Sequence, residues 1–214
     1  MITRKLTYVF DAYCGWSYGF GPALRTFLDE LALTVDVRLI SGGLFTGDRV
    51  VPIRTFEYVR TGNAKIHELT GAVFGEAYQR LVDEGSFLMD SHAAAVGFAT
   101  LRTAAPTRAL ELALAMQDAF YRDGLSLSEP ETYRSIAEAH GLDVALVLAL
   151  FADPTTQIAA RTDFAEARRL GVTSYPTLLL HTPAGVAPIG HATSSAGELM
   201  ASFEHLNQSA VTQP

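Results

Sequence analysis

Asp11-Ala12-Tyr13-Cys14-Gly15-Trp16-Ser17-Tyr18-Gly19-Phe20-Gly21-Pro22 holds the only cysteine and the only tryptophan among 214 residues. Before it, Leu6-Thr7-Tyr8-Val9-Phe10 is a short apolar run that reads as a buried strand. After it, Leu24, Phe27, Leu28 and Leu31 fall at i, i+3, i+4 and i+7, one face of a helix. Cys14 therefore sits where a strand gives way to a helix. The first amides of a helix lack internal partners and carry partial positive charge. A thiolate is stabilised there, and an ordinary thiol pKa of about 8.5 can fall to roughly 3.5–7.5. The stretch predicts a nucleophilic, partly exposed thiol with a depressed pKa. The competing reading is a small buried hydrophobe, the commoner fate of a free cysteine.

Composition narrows the classes. Hydrophobic residues make up 49% of the chain, enough for a sizeable core in one domain or two small ones. The longest apolar run, Val144 to Ala152, is too short to span a bilayer. Met1-Ile2-Thr3-Arg4-Lys5 leads straight into the first strand and leaves no room for a signal peptide, so the expected location is cytoplasmic with no membrane partner. A formal net charge of −7 argues against a nucleic-acid-binding surface. One cysteine excludes an internal disulfide and a cysteine-rich metal site. The histidines (His67, His92, His140, His181, His191, His205) are scattered with no metal-ligand spacing, so no metal is expected. The chain also lacks G-x-x-x-x-G-K, G-x-S-x-G and internal repeats.

Outward from the cysteine, Thr34-Val35-Asp36-Val37-Arg38-Leu39-Ile40 alternates apolar and polar residues as a second strand. Strand, helix and strand predict a parallel unit. From about Pro52 to Leu170 no strand is expected, only successive helices rich in Ala and Leu. Ser128-Glu129-Pro130-Glu131 has capping-box spacing, Gly141 is a helix stop, and Asp153-Pro154 is an N-cap with proline at the first helical position. That last helix should end at Gly171. Thr177-Leu178-Leu179-Leu180 reads as a third strand, joined by Pro183-Ala184-Gly185 to a hairpin partner, Val186-Ala187-Pro188-Ile189. Pro188 suits an edge strand. A final helix spans about Ser195 to Leu206, and Gln208 to Pro214 reads as a frayed tail.

A cysteine after the first strand and a proline before the third, with helices between, resembles the thioredoxin fold in its DsbA-like form. The stretches Cys14-Gly15-Trp16-Ser17-Tyr18-Gly19, Gly42-Gly43-Leu44, Ala115-Met116-Gln117-Asp118-Ala119-Phe120-Tyr121 and Gly171-Val172-Thr173-Ser174-Tyr175-Pro176-Thr177 are similar to the cytosolic protein-disulfide-isomerase branch related to FrnE. The resemblance implies an α/β thioredoxin-like domain of residues 1–57 and 153–214, with a helical domain of residues 58–152 inserted after the first βαβ unit. That insertion is expected to have its own apolar core and to act as a lid. It also implies Cys14 as nucleophile, Pro176 as the cis-proline facing it, and Tyr13, Gly15, Trp16, Tyr175 and Pro176 as the substrate groove. Ser17 stands where the family carries a second cysteine, so the motif is C-G-W-S and Cys14 acts as a monothiol. The sequence is consistent with a native serine and with a Cys→Ser replacement.

Three functions follow from these residues. The first is a thiol–disulfide oxidoreductase or isomerase using Cys14 and Ser17, with no tightly bound cofactor. Glutathione would be a co-substrate, and the partner a substrate protein or a small-molecule thiol or disulfide. The second resembles the kappa-class glutathione transferases and hydroxychromene-carboxylate isomerases, in which Ser17 or Cys14 would orient the glutathione sulfur. The third is a redox-inactive binding module that keeps the groove.

Overall fold

The computed structural model describes residues 4–31 and 35–211. Four strands form one sheet: β1 (Arg4–Phe10), β2 (Val35–Ser41), β3 (Thr177–Thr182) and β4 (Gly185–Pro188), in the order β2-β1-β3-β4. β1 runs parallel to β2, with Arg4 opposite Val35 and Phe10 opposite Ser41. It runs antiparallel to β3, with Val9 opposite Thr177. The hairpin pairs Leu179 with Pro188 and leaves β4 at the edge, where a missing N–H costs the ladder nothing.

Helix α1 (Gly15–Leu31) joins β1 to β2. Seven helices follow before β3: α2 (Val59–Thr70), α3 (Glu76–Glu84), α4 (Ser91–Ala104), α5 (Ala109–Tyr121), α6 (Pro130–Ala139), α7 (Val144–Ala152) and α8 (Pro154–Arg169). Helix α9 (Ala196–Val211) closes the chain. The molecule is thus an α/β thioredoxin fold with a large helical segment inserted before the final strands. Among the described residues no single helix is long and apolar enough to cross a membrane.

The period-two pattern of β1 divides its side chains between two faces. Leu6, Tyr8 and Phe10 join Phe20, Leu24 and Phe27 of α1 and Leu199 and Phe203 of α9. Val9 faces the other way, with Ile40, Leu179 and Ala167 of α8. The separate core expected for residues 58–152 is not found. The first cluster runs without a break from β1 into Phe98 of α4, Leu112 and Phe120 of α5 and Tyr133 of α6. Phe10 and Phe98 meet edge to face at 4.9 Å across that junction.

A half-buried ion pair fastens the same junction. Arg102 of α4 reaches Asp163 of α8 at 2.9 Å and donates to the carbonyl oxygen of Leu39, while Asp163 Oδ2 accepts from the Ser41 N–H at 3.0 Å. Three elements are therefore locked at the end of β2, where Gly42-Gly43-Leu44 begins.

Most helix ends follow local chemistry. Asp153 caps α8 through the Thr155 N–H at 2.7 Å with Pro154 next, and Gly141 and Gly171 lie in the left-handed region just past α6 and α8. The capping box at Ser128 does not form. Glu129 holds the N-cap position of α6 with no side-chain cap, and the Ser128 N–H is turned to the Ser126 hydroxyl at 3.2 Å. The Gln208 tail is corrected too, since α9 continues to Val211. Residues 1–3, Thr34 and 212–214, on which parts of the sequence reading fall, lie outside the described residues.

Candidate active site

Cys14 occupies the N-cap position of α1. Its N–H donates to the Asp11 carbonyl at 3.0 Å, and its own carbonyl accepts the first helical bond, from Tyr18, at 3.1 Å. The sulfur therefore stands where a capping Ser or Asp oxygen would stand, facing the amides of Ser17 and Trp16. It also lies against the loop before β3, donating to the Tyr175 carbonyl oxygen at 3.3 Å. The Tyr175–Pro176 peptide bond is cis.

The thiol is closed in, contrary to expectation. Cys14 is 6% exposed, and burial pushes its pKa up to about 11. The amides of Ser17 and Trp16 and the Ser17 hydroxyl pull it down, while the negative charge of Asp11 adds to the rise. The helix end does favour the thiolate, but desolvation by the residues packed over it is larger.

Asp11 ties the cysteine turn to a second loop. Its Oδ1 accepts from the Tyr13 N–H at 3.0 Å and its Oδ2 from the Leu44 N–H at 2.9 Å. Burial pushes this carboxyl up to about 6, against the opposing pull of those amides, the Ser91 hydroxyl and Arg49. The same loop seats Tyr175. Gly43 N–H donates to the Tyr175 hydroxyl oxygen at 3.2 Å, and a Cβ on Gly42 would overlap the Tyr175 ring. Gly42 is thus the clearance that lets Tyr175 lie flat beside the cysteine.

Tyr13, Cys14, Gly15, Trp16 and Tyr175 line one cleft of about 320 Å³. The helical segment supplies the opposite wall through Tyr58, Ile66 and Tyr121. Gly15 allows the approach: a Cβ there would come within 2.8 Å of Ile66 Cδ1. Pro176 belongs instead to a neighbouring groove of about 500 Å³, shared with Trp16, Tyr175 and His191. Ser17 is fully buried behind Cys14 and lines neither space. Tyr13 is mostly a core residue, 2% exposed, its ring edge-on to Phe120 at 4.7 Å and its hydroxyl accepting from the Leu127 N–H at 3.2 Å. The sequence did not point to Tyr58, Ile66 or Tyr121 as cleft residues. Tyr121 enters there only as the last residue of the Ala115–Tyr121 stretch, and nothing local signals that its ring turns toward a thiol.

Among the described residues no three His, Cys, Asp or Glu side chains cluster as a metal site. The site's chemistry is that of one thiol at a helix end, with hydrogen-bond donors arranged for its thiolate and an apolar cleft in front.

A family model for DSBA-like thioredoxin domains matches residues 5–188. No curated protein sequence matches the chain. Among solved structures, a candidate protein disulfide isomerase from Nitrosomonas europaea superposes with a TM-score of 0.83 at 18% identity, over 97% of this chain and 98% of that one. The cytosolic disulfide reductase DsbM from Pseudomonas aeruginosa superposes with a TM-score of 0.79 at 23% identity, over 96% and 100%. The structure of DsbM with GSH gives 0.76 at 21% identity, over 95% and 99%. These similarities concern the fold.

Proposed function

The chain belongs to the family of DSBA-like thioredoxin domains, and on that premise we propose that it is a thiol–disulfide oxidoreductase acting through the single thiol of Cys14, with glutathione as small-molecule partner. The observation that carries this reading is the placement of Cys14 Sγ. It faces the first amides of α1, lies 3.3 Å from the Tyr175 carbonyl beside Pro176, and opens on a cleft walled by residues 58–152. The structure of DsbM with GSH, similar in fold, supports glutathione as the partner. The same reading assigns the chain to the cytosolic FrnE-related branch and treats residues 58–152 as the wall that selects what reaches the thiol.

The exchange balances with one cysteine. The Cys14 thiolate attacks one sulfur of a disulfide; an S–S bond to Cys14 forms, the original S–S bond breaks, and the leaving thiolate takes up a proton. Ser17 cannot supply the second attack, because a hydroxyl forms no stable bond to sulfur. A glutathione thiolate from solution attacks the mixed disulfide instead, freeing Cys14 and carrying the disulfide away. The Ser17 hydroxyl and the α1 amides stabilise the thiolate in both steps.

The raised pKa of the buried thiol favours a second reading, a glutathione-dependent isomerase or transferase in which Ser17 or Cys14 orients the glutathione sulfur without exchanging with it; of the two, Cys14 lines the cleft. Intact mass after incubation with oxidised glutathione separates the two. A single glutathionyl adduct, absent in Cys14→Ala and removed by reduced glutathione, is the expected result. Tight binding of reduced glutathione with no adduct would transfer the assignment to the isomerase, and neither adduct nor binding would leave a binding module.

A further inference from the structure

One buried group behind the thiol has no work in the resting structure. Tyr8, on β1, is 1% exposed and packed among aromatic rings, stacked on Phe10 at 5.6 Å and tilted against Phe20 at 5.9 Å. Its hydroxyl has no hydrogen-bond partner. A phenylalanine would fill that space without the desolvation cost of an unpaired hydroxyl. The polar groups that act on the Tyr8 hydroxyl are Ser17, through its side chain, and Cys14, through its charge. Ser17 is itself fully buried at the third position of α1, and its Oγ lies 3.5 Å from the Asp11 N–H, which it accepts. The Ser17 hydroxyl proton is free to point at the sulfur, toward which it acts as a hydrogen bond.

At rest the Tyr8 hydroxyl is without a partner, and the thiol's own proton goes to the Tyr175 carbonyl. When that proton departs, the sulfur turns from donor to acceptor and the carbonyl ceases to be a partner. The remaining donors are the Trp16 and Ser17 amides and the Ser17 hydroxyl. A Ser17 hydroxyl that donates to an anion becomes a better acceptor itself, and the unpaired Tyr8 proton lies beside it. We propose that Tyr8 is a positioning residue for the Cys14 thiolate: once the thiol proton has left, the Tyr8 hydroxyl donates to Ser17 Oγ and so holds the Ser17 hydroxyl proton on Cys14 Sγ. The donor is unpaired in the ground state and engaged only when charge develops, so its contribution falls on the reactive form alone. No covalent bond changes in this step; one hydrogen bond to Tyr175 is exchanged for two in series. The proposal rests on the reading of Cys14 as the nucleophile. The titratable groups that face the sulfur are Asp11 at the end of β1, whose charge opposes the thiolate, Tyr8 on β1 and Tyr121 on α5.

The test compares the wild type with Tyr8→Phe, Ser17→Ala and the double variant. Each is followed by the pH dependence of Cys14 alkylation with iodoacetamide, by thiolate ultraviolet absorbance, and by thermal unfolding. Tyr8→Phe should move the ionisation midpoint upward and slow alkylation at fixed pH by about 3- to 10-fold, the scale of one lost hydrogen bond. Its unfolding temperature should equal or exceed that of the wild type. Ser17→Ala should slow alkylation at least as much, and adding Tyr8→Phe to it should change nothing further. An unchanged alkylation profile in Tyr8→Phe overturns the proposal, as does a full additional effect on top of Ser17→Ala. A less stable or unfolded Tyr8→Phe overturns it as well, because the hydroxyl would then be paired at rest. Alkylation needs no glutathione, so a wild type that takes up none would defeat the proposed function and still leave this comparison decisive.

Discussion

The Cys14 thiol donates its proton to the carbonyl oxygen of Tyr175 across 3.3 Å, two residues separated by 161 positions in the chain. That bond exists only in the protonated form, and burial pushes the thiol pKa up to about 11. The native chain should therefore alkylate with a rate that climbs about tenfold per pH unit from pH 7 to pH 10, with no plateau below pH 9. A folded pKa above the ordinary thiol value of about 8.5 stabilises the fold fully below pH 8.5, and that contribution is lost as the pH rises toward 11. Wild type should accordingly lose more stability than Cys14→Ala between pH 8.5 and 10.5 in urea titrations. A rate that levels off near neutrality would show that the helix end outweighs burial.

Gly42 is predicted to tolerate no side chain while Tyr175 keeps its place. Gly42→Ala forces its Cβ into the Tyr175 ring, an overpacking that costs typically 1–3 kcal/mol. Tyr175→Ala clears the ring, so Gly42→Ala in that background should cost much less. Additive effects in a double-mutant cycle would refute the seat described for Tyr175.

Arg102 and Asp163 should be worth most as a pair. Arg102→Met leaves the Asp163 carboxylate, 3% exposed, without its cation; with the Arg102 side chain 23% exposed, the cost should fall below the roughly 3–5 kcal/mol of breaking a fully buried pair. Arg102→Met with Asp163→Leu should recover a substantial part of that loss in the urea midpoint. The glutathionylation rate should fall with the single variant too, because the pair anchors the end of β2 and hence the Gly42-Gly43 seat. A single variant as stable as the wild type would remove the ion pair from this role.

Ser17→Cys tests the monothiol assignment. Oxidation of this variant should close a disulfide between Cys14 and the new thiol at position 17, seen as a loss of two hydrogens by intact mass. Turnover of a mixed disulfide should then proceed without added thiol, since the second attack becomes intramolecular and proximity can be worth several orders of magnitude. A wild type that already turns over without external thiol would contradict the mechanism. A Ser17→Cys variant that forms no internal disulfide would show that position 17 does not take the place of a resolving cysteine.

Local sequence determined the parts of this protein that depend on neighbours a few residues away. The apolar run ending at Phe10 and the helix beginning at Gly15 place Cys14 at a helix N-terminus. Asp153-Pro154, Gly141 and Gly171 mark helix ends, and Pro188 marks an edge strand, because caps, φ angles and missing N–H groups act within one turn of chain. Ser128 misled because two local patterns compete there: the helix starts one residue later, with Glu129 at its N-cap position, and the Ser128 N–H goes to the Ser126 hydroxyl. The tertiary structure alone decided how the thiol behaves. Helix amides acting on Cys14 come from Trp16 and Ser17, but its burial is set by the fold, which brings the Tyr175 carbonyl to 3.3 Å from the sulfur and Ile66 and Tyr121 to the same cleft from distant segments. The need for glycine at position 42 is likewise invisible without the Tyr175 ring beside it. Nor does any local pattern say that the core of residues 58–152 is continuous with that of the sheet, since an apolar helix face carries no record of which face it will meet. Hydrogen bonding at a helix end is short-ranged along the chain; desolvation and packing depend on whatever the fold brings into contact.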